Sequence, residues 1–163
     1  HGGSLRIYGC HADARHPTTE NVAALLDEER TAGLDGAQAY AGFENKVRAV
    51  KRGLLRFLIE ARESGKSVVG YGAAAKGNTL LNYCGVGTEF IDYVVDANPH
   101  KQGLFLPGSR IPIHAPERIG ETKPDYILIL PWNLTDEIVG ANPQVAAWGG
   151  QFVVPIPEVR IVR

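Results

Sequence analysis

Methionine is missing altogether from the 163 residues, cysteine and tryptophan occur twice each, and the 17 Lys and Arg nearly cancel the 18 Asp and Glu. Each scarcity excludes something. With a formal net charge of -1 and its basic residues scattered, the chain has no positive stripe with which to hold nucleic acid. Apolar runs are short. The richest, "YILILPW", is far below the ~20 residues of a bilayer-spanning helix, and the first residues show no signal-peptide pattern, so no membrane contact is expected. Cys10 and Cys84 are far apart and lack C-x-x-C spacing, which argues against a disulfide framework and for a reducing compartment, the cytoplasm by default. "CHADARH" gathers Cys10, His11 and His16, but its spacing matches no metal motif, and no metal site is expected. The missing methionine, in a chain that opens on "HGGSLRIYG", suggests a piece of a longer protein.

What is present is globular. A hydrophobic share of 44% against 21% charged is enough for one compact domain with a real core. "LRIYG" alternates like a short strand. Thr18 or Thr19 can cap a helix starting near Glu20, with Val22, Leu25 and Leu26 on one face and Gly33 at its end. A longer helix is expected over residues 38–64, where Phe43, Val47, Val50, Leu54, Phe57, Leu58 and Ala61 recur at helical spacing. From Lys66 the texture becomes strand and helix in alternation: "KSVVGYG", "AKGNTLLNYCG", "FIDYVVDANP", "APERIGETK", "DYILILP", a helix after "PWN" that Pro143 can break, and "QFVVPIP". Apolar strands without polar alternation, each followed by a helix, imply a parallel sheet covered on both faces. The expected fold is therefore α/β, a Rossmann-like parallel sheet with flanking helices, preceded by a helical hairpin. Residues 1–65 form the strand and helical linker, and residues 66–163 the Rossmann-like domain.

The chemistry gathers where strands end. In a doubly wound sheet, ligands bind beyond the carboxyl ends of the strands, and three polar segments leave such ends here: "GYGAAAKGN", "DANPHKQG" and "PWN". Gly70, Gly72 and Ala75 fit the tolerant dinucleotide pattern G-x-G-x-x-G/A. Gly72 and Gly77 have P-loop spacing, but Asn78 stands where the P-loop lysine should be. Gly70 and Gly72 let the backbone approach a ligand closely, and the following helix aims its free N–H groups at an anion, with Lys76 adding a full charge. The alternative is that the glycines only permit a tight crossover. Asp96 ends its strand where a ribose-binding carboxylate would sit, although Asp96 and Asn98 can equally cap the turn before Pro99. Lys101 can reach the same anion or remain solvated. Trp132 and Asn133 can hold a base or sugar, or Trp132 can be core.

Taken together, "HGGSLRIY", "GYGAAAKGNTLLNYCG", "VVDANPHKQGLFLPGSRIPI", "KPDYILILPWNLTDEI" and "GGQFVVPIPEVRIV" resemble the C-terminal domain of bacterial S-adenosylmethionine-dependent sugar C-methyltransferases over nearly the whole chain. That resemblance implies a domain that holds a nucleotide-linked keto-deoxysugar, of dTDP type. The S-adenosylmethionine would be bound by a central domain of the same chain and not by this segment. It implies a site lined by Gly70, Tyr71, Gly72, Lys76, Gly77, Asn78, Asp96, Asn98, Lys101, Trp132 and Asn133. It also implies a general base at His1 that removes the proton beside the sugar ketone. The segment alone should be catalytically silent. Departing slightly from the family, "GAAAKG" carries alanines where a proline or threonine is common, which bears on sugar preference alone. Two other readings are an NAD(P)-dependent oxidoreductase domain and a non-catalytic nucleotide- or CoA-binding module. A nucleotide triphosphatase is weakest, because the lysine is displaced and no acidic residue ends "YILIL" to hold magnesium.

Overall fold

A computed structural model of the chain describes residues 4–162. Two compact units divide it, His1–Val47 and Arg48–Arg163.

In the first unit, α1 (Glu20–Thr31) starts after Thr19, whose backbone is extended but whose side chain makes no capping bond, and no residue of the helix is buried. Gly33, at a φ of +71°, ends it. The strand expected at "LRIYG" does not form. Leu5, Ile7 and Tyr8 stand 64%, 80% and 84% exposed, and β propensity expresses itself only against a paired neighbour. The long helix is also shorter than its apolar spacing implies. Ala37–Tyr40 forms a separate 3₁₀ turn, and α2 spans Phe43–Glu63, with Gly42 in the turn between them.

The second unit is built on a six-stranded sheet in the order β3-β2-β1-β4-β5-β6. Its strands are β1 (Val68–Tyr71), β2 (Val94–Val95), β3 (Ile113–His114), β4 (Tyr126–Ile129), β5 (Gln151–Val154) and β6 (Arg160–Val162). The first five are parallel, and β6 closes one edge antiparallel to β5. The helices are α2, α3 (Ala75–Cys84), α4 (Arg118–Thr122) and α5 (Thr135–Ala141), and a 3₁₀ stretch, Pro143–Trp148, follows α5 as the proline implies. Neither β3 nor β6 stands out in the sequence; each is a short edge strand.

Alternating strand side chains separate the core into two layers. Val68, Val94, Leu128 and Val153 face one layer with Leu54 and Leu58 of α2 and Leu80 and Leu81 of α3. Val69, Val95, Ile127, Ile129, Phe152 and Val154 face the other, with Ile119 of α4 and Ile138 of α5. Strands buried on both faces explain the unbroken apolar runs. The α/β class, with a mostly parallel sheet and helices flanking it, is what the sequence implies. No helix among the described residues is long and apolar enough to cross a membrane.

Candidate functional site

The strand order decides where a ligand can enter. From β1 the chain moves outward to β2 and β3, then returns to place β4 on the other side of β1. The helices that follow β1 and β4, α3 and α5, pack in opposite core layers, so the loops after β1 and β4 diverge and leave a crevice beyond the carboxyl ends of these two strands.

Backbone chemistry lines one wall. Tyr71 is the last residue of β1, its carbonyl accepting the Leu130 N–H at 3.0 Å, and the Gly72 N–H donates to Val95 O at 2.7 Å. Gly72 then turns at a φ of +86°, and a Cβ there would lie 2.6 Å from Pro131 Cδ. Only glycine fits such a turn without strain. Ala74 precedes α3 without a side-chain cap. The first amide bonded back into the helix is that of Asn78, to Ala74 O at 2.9 Å. Among the described residues the N–H groups of Ala75, Lys76 and Gly77 have no partner, as expected for the orphan donors at a helix start. They carry the positive end of the helix dipole.

Two further glycines serve close packing. A Cβ on Gly70 would lie 2.7 Å from Val94 Cγ2, and one on Gly77 would lie 2.5 Å from Leu130 Cβ. Gly77 thus lets α3 sit directly on the end of β4. Asn78 is half-buried, and its Oδ1 is a buried acceptor without a partner.

Asp96 and Lys101 act on the loop itself. Asp96 Oδ2 accepts from the Ala73 N–H at 2.7 Å and from Lys101 Nζ at 3.1 Å, while Lys101 Nζ also donates to Ala73 O at 2.9 Å. A carboxylate and an ammonium therefore grip both polar groups of one alanine. The Asp96 side chain is only 13% exposed. Its Oδ1 accepts the Asn98 N–H at 2.8 Å, and Asn98 Oδ1 accepts the His100 N–H at 3.0 Å, so the turn-capping alternative for these two side chains describes their bonding. Gln102 Nε2 adds a bond to Asp96 O at 2.9 Å.

The opposite wall is the segment after β4. Trp132 and Asn133 lie in a 3₁₀ turn, Trp132–Leu134, tied to α5 by Thr135 Oγ1 donating to Trp132 O at 2.7 Å. Lys76 spans the crevice to reach them. Its ammonium sits 4.5 Å from the Trp132 ring centroid, a cation–π distance, and donates to Asn133 Oδ1. Trp132 is half-buried and packs against both core layers, so it serves as core and wall at once.

Tyr71, Gly72, Lys76, Gly77, Trp132 and Asn133 thus meet at the crevice, while Asp96, Asn98 and Lys101 buttress its floor. His1 lies outside the described residues. Sequence reasoning missed Pro131 and Leu130, the surfaces against which Gly72 and Gly77 close, and Ala73, the peptide that Asp96 and Lys101 hold. The signal for Pro131 was its place in "LPWN" next to a glycine turn. Nothing in the sequence marked Ala73. An open recess lined by Val139, Pro143, Val145, Phe152 and Val162 lies near the amino end of β5, and its lining includes no titratable side chain.

Comparison with known proteins identifies the family. The family model described as the C-methyltransferase C-terminal domain matches residues 1–157. The chain is 42% identical to the C-methyltransferase NovU of Streptomyces niveus over 165 residues, covering 99% of this chain and 39% of that protein. It thus spans about two-fifths of the length of the curated relative it matches. A six-stranded, mostly parallel sheet with its glycine turn at the switch point, matched along almost its whole length, places this chain in the C-methyltransferase C-terminal domain family.

Proposed function

We propose that the crevice between β1 and β4 is the binding site for a nucleotide-linked keto-deoxysugar, of dTDP type, and that this domain presents that substrate for C-methylation. One observation carries the reading. Three unpartnered amides at the start of α3, the Lys76 ammonium and the Trp132 ring converge on one crevice, which offers a diphosphate its donors and a base its stacking surface. A dinucleotide reading fares worse. The carboxylate at the end of β2, which would hold a ribose, is already bonded to Ala73, Asn98 and Lys101.

Membership of a methyltransferase family implies a methyl donor, S-adenosylmethionine. The residues here do not suit it. Its sulfonium is a cation, and the crevice offers amide N–H donors and an ammonium, a donor set that favours an anion. We therefore assign the donor to a separate domain of the same enzyme, in the cytoplasm, and assign no methyl-transfer chemistry to this segment. His1 as general base belongs to that larger assembly, and its role here rests on resemblance alone.

Isothermal titration tests the substrate reading. Binding of dTDP-sugars with micromolar affinity, and no heat from S-adenosylmethionine, is the expected result. Binding of S-adenosylmethionine without any response to sugar nucleotides would overturn it.

A further inference from the structure

The two lysines of the crevice are not equivalent. Lys101 is paired with the Asp96 carboxylate at 3.1 Å and is anchored on Ala73 O, so its charge is spent on holding the loop. Lys76 has no carboxylate partner among the described residues. Its contacts are an uncharged amide oxygen and an aromatic ring. A phosphate oxygen is a stronger partner than either, because hydrogen bonds between ionised groups are roughly twice as strong as neutral ones. Lys76 also sits in the first turn of α3, beside the amides that would receive the same anion.

The ring under that ammonium is the one that would stack a base. Trp132 packs against both core layers, and Lys76 lies over its ring. Base and ammonium compete for it. We propose that Lys76 is a specificity-determining strap: it shields Trp132 from a bare nucleoside and yields it to a nucleoside diphosphate, whose phosphates draw the ammonium away. The inference rests on the sugar-nucleotide reading above. It adds that selectivity for the charged ligand arises from displacing an intramolecular contact as well as from binding the charge.

The test measures thymidine and thymidine diphosphate separately, in the full chain and in Lys76→Met, which keeps the stem and removes the charge. Trp148→Phe isolates the fluorescence of Trp132. Since Trp148 Nε1 donates to Pro124 O at 3.0 Å, calorimetry in the unaltered background provides a second readout should that change perturb folding. The expected result is a split of opposite signs. Lys76→Met weakens diphosphate binding about 10-fold, as loss of one charge-assisted contact should, and strengthens thymidine binding about 2- to 5-fold, as removal of a competing cation–π contact should. Lys76→Arg should keep the diphosphate preference. Weakening of both ligands would reduce Lys76 to a brace for Asn133, and an unchanged thymidine affinity would make it a plain phosphate ligand; either overturns the strap. In both cases diphosphate binding by the unaltered chain would leave the site reading standing. If the unaltered chain responds to neither ligand, the site reading and the strap fall together.

Discussion

At the scale of single residues, the crevice depends on two positions where a methyl group has no room. Gly72→Ala must take a left-handed φ and push on Pro131, while Gly77→Ala places its Cβ on Leu130 Cβ. Alanine ordinarily favours a helix over glycine by about 1 kcal/mol, but here overpacking decides the sign. Each change should lower stability in urea by about 1–3 kcal/mol. Leu130→Ala should not rescue Gly77→Ala, because the obstructing atom is a Cβ that alanine retains. Titration behaviour also starts with individual side chains. Asp125 sits below its ordinary value, first through its bond from Lys66 at 2.8 Å and then through the Ser67 N–H at 2.9 Å. Burial, and then the Arg118 charge, hold His114 below its ordinary value near 6.5. Both folded values are depressed, so both contributions are present above the unfolded values and are lost as pH falls through the folded ones. His114 acts first, below about pH 6.5, and Asp125 acts in the carboxylate range. His114→Gln should flatten the stability curve just below neutrality, whereas Asp125→Asn should flatten only its acid limb. A curve unchanged by both substitutions would contradict this account. Lys66 is raised by the same Asp125 pair, so its contribution holds below its unfolded value and fades as pH rises through the folded one.

At the scale of elements, burial separates what the apolar spacing of α2 treats alike. Phe43 and Leu58 belong to the same helical stripe in the sequence, yet Leu58 is fully buried and Phe43 is 64% exposed. Leu58→Ala should cost about 2–5 kcal/mol, and Phe43→Ser should stay within about 0.5 kcal/mol, both read from denaturant midpoints. Equal effects would mean that Phe43 is packed in solution. The strands show the same divide between pattern and pairing. "FIDYVVDANP" reads as one long strand, but the strand proper is Val94–Val95. Asp92 and Tyr93 still bond the β1 backbone, the Asp92 N–H donating to Val68 O at 3.0 Å and Tyr93 O accepting the Gly70 N–H at 2.8 Å, whereas the Phe90 and Ile91 N–H groups turn back onto Gly87 O, each at 3.1 Å. Helix α3 was legible almost to the residue, because a glycine turn precedes it and Gly85, at a φ of +74°, ends it.

At the scale of the whole molecule, the two units differ in what holds them. Among the described residues of the first, only Leu25, Gly33 and Val47 are even half-buried, whereas the sheet of the second lies between two apolar layers. Local opening free energy follows buried contact. Hydrogen exchange should therefore find the amides of α1 close to unprotected and those of β1, β4 and β5 protected to the level of global unfolding. Protection of α1 equal to that of β4 would show a stabilising contact absent from the described residues. The sequence by itself determined the α/β class, the order of the helices and of every strand but the edge strands β3 and β6 from Lys66 onward, and the glycine turn with its lysine, because period, turn chemistry and helix starts are local properties of the chain. Only the tertiary structure decided that β4 lies beside β1 on the far side from β2. That placement makes the crevice and sets Lys76 over Trp132, while the pairing of β1 with β2 turns Asp96 and Lys101 toward the backbone of Ala73. Such pairings join residues 23 to 57 positions apart, and no local rule of sequence specifies which distant partner a polar side chain will meet once the sheet has formed.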